Sequence, residues 1–156
     1  MFGLLKRKVR DIKSPVDGKV VALENVNDEV FSQKLVGDGV AVEPVSNIFT
    51  APIDGIVSKI FPTNHAYSIR SSKDLEVMVH IGLDTVDLAG KGFERLVKEG
   101  EQVKAGDAII KADLSYLKAQ NKDTITPIIV LEESDVKNID KKYRIVKQGD
   151  VIMEVR

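Results

Sequence analysis

Short apolar runs recur along the chain about every ten residues, each bounded by glycine, proline or aspartate. They are Gly18-Lys19-Val20-Val21-Ala22-Leu23, Gly39-Val40-Ala41-Val42, Gly55-Ile56-Val57-Ser58-Lys59-Ile60, Leu75 to Leu83, Ala108-Ile109-Ile110 and Ile128-Ile129-Val130-Leu131. Valine and isoleucine dominate them, and β-branched side chains suit a pleated surface better than a helix. The pattern predicts an all-β domain with one or two short helices. One helix is expected over 113–120, with Asp113 as N-cap, and a further helical turn around Gly92-Phe93-Glu94-Arg95-Leu96-Val97.

Two internal echoes sharpen the architecture. Ser14-Pro15-Val16-Asp17-Gly18-Lys19-Val20 returns as Ala51-Pro52-Ile53-Asp54-Gly55-Ile56-Val57, and Val103-Lys104-Ala105-Gly106-Asp107-Ala108-Ile109 returns as Val146-Lys147-Gln148-Gly149-Asp150-Val151-Ile152. Each is a tight turn feeding an apolar strand. Matching order and residue type, twice over, predicts a duplicated motif in an antiparallel β-sandwich or barrel.

Composition narrows the chemistry. Lysine and arginine number 23 against 24 aspartates and glutamates, a balance unlike the basic excess of domains that track nucleic-acid phosphates. The absence of cysteine removes disulfides, thiolate metal sites and thiol nucleophiles. No apolar run approaches the ~20 residues that span a bilayer. In the N-terminal segment Met1-Phe2-Gly3-Leu4-Leu5-Lys6-Arg7-Lys8 the apolar residues precede the basic ones, the reverse of a secretory signal. Residues 1–11 read as a flexible basic tail, capable at most of weak contact with an anionic membrane surface, and 12–156 as one domain. The cytoplasm is the expected location.

Only 2 of the 156 residues are histidine, so imidazole chemistry has to run through His65, His80 or both. Alternation along a strand puts Leu75, Val77, Val79 and Ile81 on a core face, and Glu76, Met78, His80 and Gly82 on the other. The same alternation groups Phe61, Thr63, His65 and Tyr67. If Ser71-Ser72-Lys73-Asp74 is a four-residue hairpin loop, Arg70 faces Leu75, Tyr67 faces Met78 and His65 faces His80, and directly opposed residues share a side. Two adjacent neutral imidazoles can act in concert: one attacks an electrophile, the other donates a hydrogen bond to the resulting anion. Thr63 adds a hydroxyl beside His65. The same pair could instead supply half of a tetrahedral zinc shell, or be surface histidines without a role. The apolar surround of Phe61, Met78 and Tyr67 suits a histidine that meets other proteins better than a pocket for a free phosphorylated metabolite.

These residues also carry a family resemblance. Thr63-Asn64-His65-Ala66-Tyr67-Ser68-Ile69, then Leu75-Glu76-Val77-Met78-Val79-His80-Ile81-Gly82-Leu83-Asp84-Thr85-Val86, with Val36-Gly37-Asp38-Gly39-Val40-Ala41 and Ala51-Pro52-Ile53-Asp54-Gly55, resemble the glucose-type IIA component of the bacterial phosphoenolpyruvate:sugar phosphotransferase system. The similarity runs from about Ile12 to the C-terminus. It implies an antiparallel β-sandwich that carries a phosphoryl group on a transient phosphohistidine. His80 would accept the group from the phosphocarrier HPr and pass it to a cysteine of a IIB domain of a sugar permease. His65 would hydrogen-bond the phosphoryl group, and Thr63 would orient His65. Phe31, Val36, Phe61, Met78 and Val86 would form the docking surface, with Asp28 and Asp84 as carboxylates for an HPr arginine. The resemblance implies no required cofactor, and zinc between His65 and His80 only at an interface with a regulatory partner. Two rivals remain at this point: a zinc endopeptidase of the lysostaphin type, which needs a third ligand and a His-x-His pair, and a lipoyl- or biotinyl-type carrier, suggested by the Val-Lys-x-Gly-Asp turns.

Overall fold

The computed structural model describes residues 8–72 and 74–156; the tail segment 1–7 and Lys73 of the expected hairpin loop lie outside them. In chain order the strands are β1 (Arg10–Lys13), β2 (Gly18–Ala22), β3 (Gly37–Pro44), β4 (Ile48–Thr50), β5 (Gly55–Ile60), β6 (Ala66–Ser72), β7 (Leu75–His80), β8 (Phe93–Arg95), β9 (Gln102–Val103), β10 (Ala108–Ala112), β11 (Thr126–Leu131), β12 (Ile139–Lys141), β13 (Ile145–Val146) and β14 (Val151–Val155). Two short helices, α1 (Glu29–Ser32) and α2 (Leu114–Ala119), and two 3₁₀ turns, Leu23–Asn25 and Thr85–Leu88, interrupt them. The large sheet runs β13-β2-β3-β11-β7-β6-β5-β9, and two three-stranded sheets run β1-β14-β12 and β4-β10-β8. All pairings are antiparallel. The large sheet stays open between β13 and β9, so the fold is a sandwich and not a closed barrel. Arg10 and Asp11, expected in the tail, pair with Val155 and Glu154.

The echoes interlock. Lys13 N–H donates to the Pro52 carbonyl, and Thr50 N–H to the Pro15 carbonyl, both at 2.9 Å. Asp17 Oδ1 accepts from Gln148 N–H at 2.7 Å, and the equivalent Asp54 Oδ1 accepts from Ala105 N–H at 2.8 Å. In the second repeat, Asp107 accepts from Lys104 N–H and Asp150 from Lys147 N–H, each at 2.9 Å. Gly106 and Gly149 carry φ of 99° and 95° at the same turn position, which an L side chain would strain. Each repeat therefore pairs with the other's counterpart: β2 with β13 and β5 with β9.

Period-two burial separates two cores across the large sheet. Val40, Val42, Ile128, Val130, Val77 and Val79 face the main core, which the small sheets close with Phe49, Ile109, Ile110, Ile152 and Met153. Ala41, Ile129 and Met78 face the other way into a smaller cluster with Leu23, Val26, Phe31 and Leu83. That smaller core is roofed by the segment carrying α1, not by another sheet. The helix capped by Asp113 forms as the sequence predicts, with the carboxylate accepting from Tyr116 N–H at 3.1 Å. The expected helical turn at 92–97 does not form. Gly92 has φ of +88°, and Phe93–Arg95 pairs with Ala112–Ile110 as a strand, Phe93 packing on the main core. An open strand edge beside an apolar core outweighs weak local helix preference.

Asp17→Ala and Asp54→Ala are each expected to cost about 1 kcal/mol, since each strips the acceptor from one backbone N–H at an equivalent joint. The two losses should add in the double variant. Urea unfolding would show this as a lower midpoint with unchanged slope; an unshifted midpoint for both would contradict the joint's role.

Candidate functional site

β7 lies in the middle of the large sheet, between β11 and β6, and His80 is its last residue. The strand stops there because Gly82 turns the chain with φ of +77°. A Cβ on Gly82 would lie 2.7 Å from both the Asp123 carbonyl and Thr85 Cγ2, so the position demands glycine on two counts. The bend returns the Gly82 carbonyl to His80, whose Nδ1 lies 2.7 Å from it. A carbonyl can only accept, so Nδ1 carries the proton and Nε2 keeps its lone pair. Thr85 Oγ1–H to the Ile81 carbonyl at 2.6 Å, and Leu83 N–H to the Asp123 carbonyl at 2.9 Å, hold the turn.

The two histidines meet, but not as the hairpin expectation has it. Ala66, not His65, lies opposite His80, and Tyr67 opposes Val79 in the main core. The register moves because the pairing between β6 and β7 is irregular near the turn: Arg70 faces Glu76, but Ser72 faces Leu75, leaving Ser71 as an extra residue. One such residue reassigns every face beyond it. Tyr67 therefore leaves the site; its hydroxyl donates to the Thr50 carbonyl at 2.6 Å. His65 precedes β6, in a turn where Asn64 is left-handed at φ 60°, so strand alternation does not govern it. Its carbonyl accepts from Ile81 N–H at 2.8 Å, which ties the turn to the end of β7. Ala66 offers only a methyl across from His80, and the His65 ring sits 4.9 Å from the His80 ring, edge to face at 80°.

Thr63 Oγ1 lies 2.6 Å from His65 Nδ1. Phe61 packs against His65 at 5.4 Å between ring centroids, and Phe31 against His80 at 4.9 Å. Lys59 Nζ stands over the Phe61 ring, 4.5 Å from its centroid. Met78, 8% exposed, and Phe31, 5% exposed, form an apolar floor. Val36 and Phe61 are half-buried beside it, and Val86 projects with 52% of its surface free. Asp84 is exposed at the rim. Asp28 caps α1 through Val30 N–H at 2.9 Å. Both carboxylates lie close enough to His80 to favour its charged form, but burial outweighs them and its pKa falls below the ordinary imidazole value. His65 is 4% exposed; burial first, and the neighbouring His80 second, push its pKa down to about 4. Both rings are neutral at pH 7.

Phe31, His65, Asp28 and Asp84 thus gather around His80, and Thr63 and Phe61 around His65, while Tyr67 does not join them and Val86 stands exposed on the following turn. The Gly82 carbonyl was not anticipated, although a glycine two residues beyond His80 is the signal for such a return. Two imidazoles offer two of the four ligands of a tetrahedral zinc ion. Among the described residues no group of three His, Cys, Asp or Glu side chains converges, so the pair fits zinc only as half a shell.

The site is thus a pair of neutral imidazoles set in an apolar collar on one face of a duplicated β-sandwich. Residues 10–136 match the family model described as phosphoenolpyruvate-dependent sugar phosphotransferase system, EIIA 1. The chain is 42% identical over 155 residues to the PTS system glucose-specific EIIA component of Haemophilus influenzae, covering 98% of this chain and 93% of the relative. It is 48% identical over 150 residues to the corresponding component of Buchnera aphidicola, covering 96% and 86%. Against the N-acetylglucosamine-specific EIICBA component of Escherichia coli it is 50% identical over 121 residues, 78% of this chain but 19% of that longer protein. The solved glucose permease IIA from Mycoplasma capricolum superimposes with a TM-score of 0.87 at 40% identity, covering 95% of this chain and 96% of that one. The chain belongs to the EIIA 1 family. It is a phosphoryl carrier of the sugar phosphotransferase system, working between HPr and the IIB domain of a sugar permease. The peptidase and lipoyl-carrier alternatives give way to that membership.

The depressed pKa of His65 links the site to stability. Between the ordinary value of 6.5 and about 4, the unfolded chain binds a proton here that the folded chain does not. Stability from this ring is complete above pH 6.5 and is lost as pH falls towards 4, on the order of 2–3 kcal/mol. Urea unfolding at pH 7 and pH 4.5 should show a smaller drop for His65→Gln than for the wild type; an equal drop would contradict a buried neutral His65.

Proposed function

We propose that His80 is the phosphoryl acceptor and that it reacts through Nε2. The observation carrying this is the 2.7 Å contact from His80 Nδ1 to the Gly82 carbonyl, which leaves Nε2 unprotonated. Its lone pair forms a bond to phosphorus as the bond from phosphorus to the phosphohistidine nitrogen of HPr breaks, and that nitrogen recovers its electron pair. In the onward step a IIB cysteine thiolate attacks, and His80 recovers its pair in turn. Transfers of this kind depend on in-line placement and on stabilising charge over the phosphoryl oxygens.

His65 serves the second need. With Thr63 donating its hydroxyl proton to His65 Nδ1, at 2.6 Å, the ring proton resides on Nε2 and is available to a phosphoryl oxygen. Thr63 as donor suits that tautomer of His65, whereas the Gly82 carbonyl, which can only accept, fixes the tautomer of His80. The collar of Phe31, Val36, Phe61, Met78 and Val86 excludes water when a partner docks, and Asp28 and Asp84 at its rim meet an arginine of HPr. Residues 12–156, with Arg10 and Asp11 paired onto β14, act as one domain in this role, in the cytoplasm, where phosphoenolpyruvate charges the relay. Transfer needs no cofactor, and zinc would bind His65 and His80 only where a partner completes its shell.

Incubation with phosphoenolpyruvate, enzyme I and HPr should place an acid-labile phosphoryl group on the wild type and none on His80→Ala. His65→Gln should still accept the group but pass it to a IIB domain at least about 100-fold more slowly. Because the neutral ring is the nucleophile, the acceptance rate should hold through neutral pH and fall as pH drops through the lowered pKa of His80, below the ordinary 6.5. Normal labelling of His80→Ala would end this assignment.

A further inference from the structure

Arg95 stands on β8, in a small sheet on the far side of the main core from the smaller cluster, yet its exposed guanidinium reaches the turn that carries Thr63 and His65. Nε–H donates to Asn64 Oδ1 at 3.0 Å, and an Nη2–H points to the Phe61 carbonyl at 3.5 Å. Asn64 separates Thr63 from His65 and is left-handed at φ 60°, a conformation that costs an ordinary L residue roughly 1–2 kcal/mol. The turn's own backbone closes through Asn64 N–H to the Phe61 carbonyl at 2.7 Å and Phe61 N–H to the Ala66 carbonyl at 2.9 Å. Arg95 grips the same two residues, Phe61 and Asn64, from outside.

The place of Arg95 is itself set by the core. It pairs with Ile110, and the next residue, Leu96, donates its N–H to the Ile109 carbonyl at 2.8 Å. Both isoleucines are fully buried. A rigid path therefore runs from the main core through β10 and β8 to the Asn64 side chain, one residue from His65. The His65 carbonyl is separately tied to Ile81 N–H, one residue past β7. The imidazole is held between these two anchors, and its distance to His80 depends on both.

We propose that Arg95 is a positioning residue for phosphoryl transfer, holding the Phe61–His65 turn through Asn64 so that His65 Nε2 stays aimed at the phosphoryl group on His80. This rests on the assignment of His65 as the phosphoryl hydrogen-bond donor. A donor displaced by about 1 Å loses much of its worth to the transition state, while Phe31, Val36, Met78 and Val86, the collar residues outside this turn, keep their places.

The test is transfer from phosphorylated HPr through this protein to a IIB domain, with rate and KM measured separately. Arg95→Ala should lower the saturated transfer rate about 10-fold without raising KM for HPr. Asn64→Gly, which keeps the left-handed backbone and removes only the acceptor, should act in the same direction, and the double variant should be no slower than the slower single one. Arg95→Lys should recover part of the rate, because an ammonium can still donate to Asn64 Oδ1. In a His65→Gln background, Arg95→Ala should cause no further loss. A raised KM, an equal loss in the His65→Gln background, or a wild-type rate for Arg95→Ala would each overturn the proposal. If His65→Gln itself transfers at the wild-type rate, the underlying assignment of His65 falls instead.

Discussion

The hydrogen bond from His80 Nδ1 to the Gly82 carbonyl is the constraint around which the site is built. It decides which nitrogen of the only imidazole on β7 is bare, and hence which direction a reacting group must come from. A carbonyl two residues downstream can reach the ring only if the strand ends abruptly. Gly82 supplies that ending, with a left-handed backbone and no Cβ against Asp123 and Thr85. Thr85, Leu83 and Ile81 hold the turn through bonds to Ile81, Asp123 and His65 respectively. The His80 ring is thus oriented by backbone, which has few alternative positions, and the backbone is oriented by the sheet.

The same parts account for charge. Two imidazoles with centroids 4.9 Å apart would repel if both were protonated, and an apolar surround penalises even one charge. Burial among Phe31, Phe61 and Met78 keeps both rings neutral at pH 7, so each holds one bare nitrogen and one N–H. The acidic side chains Asp28 and Asp84 temper this at His80 without reversing it. An apolar collar with carboxylates at its rim also suits repeated, brief contacts with different proteins: burial gives adhesion, and rim charges influence the rate of encounter.

The duplicated joints place the site within the fold. Asp17 and Asp54 accept backbone N–H groups at matching turns, and the repeats pair crosswise at the two ends of the large sheet. The site lies outside the repeated segments, at the middle of the sheet, where β7 carries His80 on one face and Val77 and Val79 on the other. That face of the sheet is packed by a second, smaller core of Leu23, Val26, Phe31 and Leu83 beside the two rings.

Alternation along Leu75–His80 by itself determined which side of β7 carries His80, since a period of two leaves no choice once Val77 and Val79 are buried. Recurrence of the turn motifs likewise determined the duplication, because the glycines and aspartates of a turn act locally. The rarity of histidine confined the chemistry to two residues. Tertiary structure decided how those two meet. One extra residue at Ser71 shifted the register, sent Tyr67 to the main core and put Ala66 across from His80. The rings come together through the left-handed turn at Asn64 and its ties to Arg95 and Ile81, contacts between segments distant in sequence. Likewise Phe93–Arg95 became a strand because β10 offered it an edge. Local periodicity speaks for the face of an element, whereas register and the approach of remote turns depend on bulges and on partners that lie elsewhere in the chain.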